Sequence, residues 1–298
     1  MYGNYYLESL QFLGLITSGR DSDVYAGQPI ARGGFRVDRP IVAVKLSHKK
    51  NISEVTKELV HHRHPNIERI YTIIRRDEHV EDYFTVCKLL VKTLSKYNRV
   101  TDPPLEQLAQ DMLVGLSYLH DHKIVHCDIK NNNIMLDENK RLVFIDFNNA
   151  QYSDRAGKIP IATVLHTRHK DLFQNPTNWD FKIDTWACGV ILYELYAAKL
   201  PEFVENVLRA AGIVFDSQYD RDLIDECQIS MESKLNIENE FNRAIGLLEK
   251  GVDDYNNDKG RTFQIIHYLL VLERGNAKAT SDFNFLFNNV NNNKRNSV

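Results

Sequence analysis

Apolar residues in the first hundred positions fall into short runs separated by turn residues, a pattern typical of strands. Five runs are predicted to be strands, at residues 12–17, 24–26, 41–46, 70–74 and 83–89. Ser53 resembles an N-cap and predicts one helix of about three turns. That helix has to end before Pro65, because proline interrupts helical hydrogen bonding.

Beyond Pro103 and Pro104 the apolar residues recur at three- and four-residue steps, as on one face of a helix. The pattern predicts a helix from Leu105 to Leu119, a buried strand at 143–145, and further helices at 185–198 and 240–250. The Asn-rich residues from 284 onward are predicted to form a frayed tail.

These patterns predict an α+β fold with a change of character along the chain. A β-rich part is expected at residues 1–90, a helical part at 91–283 and the tail at 284–298.

Composition narrows the class of protein further. The chain has 298 residues, of which 43% are hydrophobic, and a formal net charge of -3, which excludes disorder of the whole chain and coating of nucleic acid or membrane by overall charge. Residues 1–100 carry a net charge of +5 and residues 101–298 one of -8. The four cysteines are widely spaced, so neither a zinc site nor a disulfide framework is predicted. With no apolar run long enough to cross a bilayer, we expect a soluble intracellular protein.

The strongest chemical signal is the run His126–Asn133, followed by Asp146-Phe147-Asn148. Asp128 can accept a hydroxyl proton and Lys130 can face a γ-phosphate. Asn133 and Asp146 carry oxygen atoms of the kind that Mg²⁺ prefers. Phosphoryl transfer needs these functions, because its catalysis consists mainly of positioning and of charge stabilisation.

This stretch resembles the catalytic loop H-R-D-x-x-x-x-N and the D-F-G segment of the eukaryotic-type protein kinases, with Lys130 resembling their Ser/Thr branch. Val42-Ala43-Val44-Lys45 resembles the strand that presents the phosphate-binding lysine of that family. His64-Pro65-Asn66-Ile67 resembles the turn after the kinase αC helix. Asp184-x-Trp186-x-x-Gly189 resembles the segment that braces the catalytic loop. The features follow the family order across about residues 10–200.

The resemblance implies a bilobal kinase-like fold, with a small β-rich N-lobe, a shortened αC helix and a larger helical C-lobe. It implies ATP and Mg²⁺ as cofactors and protein hydroxyls as acceptors. The catalytic residues that it implies are Asp128, Lys130 and Asn133, with Asn133 and Asp146 on the metal. The nucleotide-binding residues that it implies are Lys45, Glu58, Gly19, Val24, Lys88, Leu90 and Asp146.

Several positions depart from the family pattern. In the phosphate-covering loop, only Gly19 remains of the usual glycines, so altered ATP binding is expected. Lys45 is followed closely by Glu54 and Glu58; either can pair with it, and Glu58 is favoured. Cys127 replaces the usual arginine, which predicts activity without activation-loop phosphorylation.

Two further departures concern the activation segment. Asn148 replaces the glycine of D-F-G and is expected to accommodate a positive φ. The A-P-E motif is lost at residues 172–174, and Thr163 and Thr167 are both candidates for a contact with the catalytic loop.

Three functions are compatible with these residues. An active Ser/Thr protein kinase is favoured, the alternative is a pseudokinase or kinase-like binding scaffold, and a small-molecule phosphotransferase comes third.

More loosely, the compact length, reduced N-lobe and Asn-rich composition resemble the protein kinases encoded by baculoviruses. That resemblance implies a viral enzyme in host cytoplasm or nucleus, with small basic DNA-packaging proteins as substrates. No direct nucleic-acid or membrane binding is expected. The shortened αC helix predicts self-association through the N-lobe, or binding of a partner helix there.

Overall fold

The N-terminal part of the chain is a five-stranded antiparallel sheet with the strand order β1-β2-β3-β5-β4. The structure, a computed structural model, describes residues 10–19, 22–30, 39–47, 52–75, 83–154 and 180–197. The strands of this sheet are β1 (Leu10–Ser18), β2 (Ser22–Pro29), β3 (Val42–Ser47), β4 (Ile70–Arg75) and β5 (Tyr83–Lys88). They agree with the five predicted strands to within two or three residues at most ends. The helix expected at 240–250, the tail, Thr163, Thr167 and the 172–174 segment lie outside the described residues.

One face of the sheet carries a closely packed apolar cluster. Its buried members are Leu10, Val42, Val44, Tyr71, Ile74, Phe84 and Val86. The alternation along β3 places both of its valines in this cluster, so Ala43 and Lys45 project from the opposite face. The register sets Lys45 opposite Val24 on β2 and opposite Thr85 on β5.

The single helix of this part is shorter than the sequence predicts. Helix α1 covers Glu54–Glu58 and continues only as a 3-10 turn at Leu59–His61. Ser53 is its N-cap, as expected, and its hydroxyl accepts a hydrogen bond of 3.0 Å from the Thr56 N–H. Val55 and Leu59 are buried, whereas Glu54 and Glu58 are exposed. The helix thus holds two apolar anchors but little more than two turns.

Helix α2 (Leu105–Asp121) begins directly after Pro104, whose carbonyl accepts from the N–H groups of Gln107 and Leu108. Its stripe of Leu108, Met112 and Leu119 is buried, as the periodicity predicts. The remaining strands are β6 (Lys92–Thr93), β7 (Ile124–Val125), β8 (Ile134–Leu136), β9 (Leu142–Phe144) and β10 (Gln151–Tyr152), and helix α3 is Lys182–Ala197. No helix in the described ranges is long and apolar enough to span a membrane.

The segment between α1 and β4 is bound to β9. Glu68 N–H donates to the Phe144 carbonyl at 2.8 Å, and Phe144 N–H donates to the Asn66 carbonyl at 2.9 Å. The buried Asn66 side chain donates to the Leu142 carbonyl at 2.8 Å. Ile67 and Phe144 form a parallel bridge, so Asn66–Glu68 lies against β9 like a short additional strand.

The chain divides into two compact units. One comprises Met1–Gly115 and Asp128–Gln151, and the other comprises Leu116–Cys127 and Tyr152–Val298. The boundary predicted at residue 90 stays a prediction.

Gly115 on α2 packs closely against Phe144 of β9, and this contact can be tested. A Cβ atom at this position would lie 2.8 and 2.9 Å from two ring carbons of Phe144 and 3.1 Å from Asn66 Cβ. We expect Gly115→Ala to lower the free energy of unfolding by about 1–3 kcal/mol, the usual cost of overpacking. Gly14→Ala is the control, because a Cβ there meets nothing within 4 Å. Chemical denaturation of both variants measures the difference, and equal stability of the two would contradict the packing described.

Candidate active site

Lys45 and Asp146 meet in a short ion pair. Lys45 Nζ donates to Asp146 Oδ1 at 2.6 Å. These residues are 101 positions apart in sequence, and both belong to the first compact unit. The sheet register therefore places the predicted phosphate-binding lysine beside the aspartate of the Asp146-Phe147-Asn148 segment.

Asp146 is held in a left-handed backbone conformation, with a φ of 64°. The positive φ was expected at Asn148, and this expectation is wrong. Asn148 lies in the 3-10 turn Phe147–Asn149, and its φ is not positive. Aspartate tolerates this region better than most residues because its short polar side chain can bond locally. The main-chain N–H of Asp146 is oriented towards Glu68 and donates to its Oε2 at 3.2 Å.

Glu68 is a site residue that the sequence reasoning missed. The expected partner of Lys45 was Glu58, or else Glu54, both on α1. In the structure those residues are exposed, and the carboxylates that act on Lys45 among the described residues are Asp146 and Glu68. The structure therefore leaves Glu58 exposed on a five-residue helix and does not bring it to Lys45, so its place in the nucleotide site stays a prediction.

The electrostatics of this cluster follow from its burial. Burial lowers the pKa of the Lys45 ammonium, but Asp146 and Glu68 more than offset it, so the pKa is raised overall and the lysine stays charged. Burial raises the pKa of the Glu68 carboxyl, against the opposing effect of Lys45. Burial, together with the adjacent Glu68 carboxylate, raises the pKa of the Cys87 thiol well above its usual value. Cys87 is consequently a neutral hydrogen-bonding group rather than a reactive thiolate.

Asp128 lies in a buried loop with donors converging on one of its carboxylate oxygens. Asn133 Nδ2 donates to the Asp128 carbonyl at 2.8 Å and to its Oδ2 at 2.9 Å. Lys130 Nζ lies 3.4 Å from the same Oδ2. The three residues predicted to be catalytic are thus brought together in one loop of the first unit.

Asn149 is the second residue that the sequence reasoning missed. Its buried side chain donates to Asp128 Oδ2 at 3.3 Å. No motif identified it, since the contact arises where the 3-10 turn Phe147–Asn149 folds back on the catalytic loop. The turn thereby links the Asp146 segment to Asp128 by a side chain.

The donor set fits a hard cation such as Mg²⁺. Asn133 uses its side-chain Nδ2 to hold Asp128, so its side-chain oxygen, Oδ1, remains as an acceptor. Asp146 adds a carboxylate. No group of three or more His, Cys, Asp or Glu that could hold a metal ion occurs in the ranges that the structure describes. Magnesium commonly uses one or two protein oxygens together with substrate phosphates, so these two residues suit a metal that arrives with a nucleotide.

The remaining predicted nucleotide residues line the sheet and the end of β5. Val24 lies opposite Lys45 in the register, and its contact with nucleotide stays a prediction. Lys88 N–H donates to the Arg69 carbonyl at 2.9 Å, and its ammonium pairs with Asp137 and Glu138 at 3.2 and 3.1 Å. Leu90 follows, half-buried, and its contact with adenine stays a prediction.

Gly19 lies in the turn between β1 and β2, where its N–H donates to the Ser22 carbonyl at 3.0 Å. An added Cβ would lie 3.5 Å from that carbonyl oxygen, an ordinary contact. Among the described residues of this turn, no contact therefore requires glycine at this position. Ser18 Oγ donates to Asp23 Oδ1 at 2.5 Å, so a side-chain hydrogen bond closes the turn.

In the second unit, Asp184 holds the residues that precede the catalytic loop. Its carboxylate accepts from the N–H groups of His126 and Cys127 at 2.7 and 3.0 Å. Cys127 is buried with a φ of 64°, and these bonds stabilise its left-handed conformation. A buried thiol here has none of the bidentate phosphate-binding capacity of an arginine.

Comparison with known proteins agrees with this geometry. The chain is 28% identical over 164 residues to the serine/threonine-protein kinase RUNKEL of Arabidopsis thaliana, which covers 53% of the chain and 12% of that protein. It is 31% identical over 142 residues to the CTD kinase subunit alpha of Saccharomyces cerevisiae (45% and 26%). It is also 27% identical over 220 residues to the serine/threonine-protein kinase STY46 of Arabidopsis thaliana (70% and 37%).

The matched region is thus well under half the length of each of these relatives. A family model described as the protein kinase domain matches residues 14–253. This match confirms the predicted fold class, and the family in general uses ATP and a divalent metal. Since the matched residues make up most of the sequence, the chain belongs to the protein kinase domain family.

Proposed function

We propose that the protein is an active serine/threonine kinase that transfers the γ-phosphate of Mg-ATP to protein hydroxyls. The observation that carries this proposal is the arrangement around Asp128. Asn133 and Asn149 both donate to its Oδ2, and Lys130 Nζ lies 3.4 Å from that oxygen. A module that only binds nucleotide has no need of a buried, oriented carboxylate beside the phosphate-binding groups.

The chain's own residues supply the chemistry as follows. Asp128 accepts the proton of the substrate hydroxyl while the hydroxyl oxygen bonds to the γ-phosphorus. At the same time the bond between the γ-phosphorus and the β–γ bridging oxygen breaks, and ADP leaves with that oxygen. Lys130 stabilises charge on the transferred group, and Lys45 contacts the phosphates that remain. Asp146 and Asn133 would hold Mg²⁺, which, when bound, neutralises charge on the phosphates.

Specificity for serine and threonine is the finer part of the proposal. It rests on Lys130, two positions after Asp128, and on the names of two of the matched relatives. Basic proteins are the proposed substrate class, since residues 101–298 carry a net charge of -8 that favours their approach. Viral origin and DNA-packaging substrates remain predictions within this proposal.

A kinase-like binding scaffold is the second candidate. The turn between β1 and β2 has Gly19 where the family has a glycine-rich loop, and α1 has only five residues. Both features reduce the covering of a nucleotide. Asp128 distinguishes the two functions, because only transfer requires a base.

Phosphate transfer tests the proposal directly. We expect the native chain to transfer labelled γ-phosphate from Mg-ATP to basic proteins, with the label recovered on serine or threonine. Asp128→Asn removes the base and is expected to lower the rate roughly 10²–10⁴-fold. Lys45→Met is expected to abolish transfer as well. Absence of transfer by the native chain, with nucleotide binding intact, would contradict the proposal and favour the scaffold.

Asn149 provides a test of how Asp128 is positioned. We expect Asn149→Ala to lower kcat roughly tenfold, the lower end of what a hydrogen bond to a charged group contributes. The KM for ATP is expected to stay within about twofold, because the side chain donates to the base, Asp128. Asn148→Ala is the control on the same turn. Steady-state kinetics of the three proteins give the answer; a rise in KM without a fall in kcat would assign Asn149 to nucleotide binding instead.

A further inference from the structure

Two carboxyl groups act on the partly buried ammonium of Lys45 at the nucleotide-binding strand. Asp146 Oδ1 lies 2.6 Å from Lys45 Nζ, and the charge of Glu68 acts on the same ammonium. Glu68 Oε2 also accepts from the Asp146 main-chain N–H at 3.2 Å. The Glu68 side chain therefore contacts the main chain of Asp146 and also acts electrostatically on Lys45.

The backbone that carries the Glu68 carboxylate is hydrogen-bonded to β9. Its own N–H is bound to the Phe144 carbonyl at 2.8 Å, and Phe144 N–H is bound to the Asn66 carbonyl at 2.9 Å. Phe144 is the last residue of β9, and Asp146 follows two positions later. Glu68 and Asp146 are thus carried on two backbone segments that are hydrogen-bonded to each other, which fixes their separation.

Cys87 on β5 belongs to the same electrostatic cluster. Its buried thiol donates to the Thr85 carbonyl at 3.8 Å, and burial together with the Glu68 carboxyl raises the pKa of this thiol. Cys87 pairs in register with Ile70 on β4 and with Ala43 on β3. The Glu68 carboxylate is consequently held by the Asp146 N–H, and Lys45 and Cys87 act on it electrostatically.

Helix α1 makes a different contribution. It places Glu54 and Glu58 at the surface, and its contact with the Asp146 segment is a hydroxyl: Ser53 Oγ donates to the Phe147 carbonyl at 2.8 Å. Helix α1 has only five residues, and neither of its glutamates is among the groups that act on the Lys45 ammonium.

We propose that Glu68, rather than a carboxylate on α1, is the positioning residue that sets Lys45 and the main chain of Asp146 for nucleotide binding. This inference rests on the proposed kinase function for its catalytic consequence. A regulatory consequence follows from these positions. Lys45 lies on β3 and Glu68 is hydrogen-bonded to β9, so the placement of Lys45 does not depend on the orientation of α1.

The experiment compares Glu68→Gln with Glu68→Asp, Glu58→Gln and Glu106→Gln in the full chain. Glu68→Gln removes the charge and keeps the shape, whereas Glu68→Asp keeps the charge. Glu58→Gln tests the rival on α1, and Glu106→Gln on α2 is the matched control. Thermal unfolding first establishes that each variant is folded; if Glu68→Gln is not, Glu68→Asp and Glu58→Gln carry the comparison.

Two readouts are needed. Affinity for a fluorescent ATP analogue is measured without phosphate transfer, and kcat and KM are measured with a basic protein substrate. We expect Glu68→Gln to weaken nucleotide binding about tenfold, since the ammonium then turns wholly to Asp146. We expect kcat to fall roughly 100-fold, because a small displacement of reacting groups has that effect. Glu68→Asp is expected to restore part of both, and Glu58→Gln and Glu106→Gln to stay within about twofold of the native chain.

Particular results would overturn the inference. Glu68→Gln behaving like Glu106→Gln would do so, as would a larger loss of nucleotide affinity in Glu58→Gln than in Glu68→Gln. A native chain that binds nucleotide but transfers no phosphate would overturn the proposed function alone, and the binding readout would still decide the role of Glu68. A native chain that binds no nucleotide would overturn both.

Discussion

The interaction on which the site depends is the partly buried ion pair between Lys45 and Asp146. Removing a charge from water without a partner costs free energy, so Lys45 can be partly buried only if a carboxylate is brought to it with good geometry. The register of β3 between β2 and β5 supplies one half of that requirement. The bonding of Asn66–Glu68 to β9 supplies the other half, because it fixes the strand that leads to Asp146.

The same pairing gives the site its electrostatic character. The carboxyl groups of Asp146 and Glu68 oppose the single ammonium of Lys45, and burial raises the pKa of the Glu68 carboxyl. Such a site suits a divalent cation that arrives with nucleotide phosphates, and the oxygen atoms of Asp146 and Asn133 are ligands of the appropriate kind. In the catalytic loop the arrangement is reversed, because one carboxylate oxygen is surrounded by several donors. Oδ2 of Asp128 is approached by the side-chain nitrogen atoms of Asn133, Asn149 and Lys130.

Local patterns in the sequence predicted what depends on local physics. Alternation predicted β3 and the outward direction of Lys45, helical periodicity predicted α2, and the spacing of Asp128, Asn133 and Asp146 predicted the loop. Glu68 escaped prediction because it is brought to Lys45 through β9, a strand more than seventy residues away in sequence. Glu58 was favoured because reasoning from the chain alone sees only the nearest helix and its i,i+4 spacing. The positive φ was expected at Asn148 on residue preference, whereas Glu68 stabilises it at Asp146 by accepting from the main chain.

The most direct measurement is a crystal structure of the chain with Mg²⁺ and a non-hydrolysable ATP analogue. The account predicts that Lys45 contacts the phosphates while the Glu68 carboxylate remains beside it, with the metal on Asp146 and Asn133. A complex in which Lys45 pairs with Glu54 or Glu58, or in which the nucleotide lies away from Lys45 and Asp146, would contradict the account.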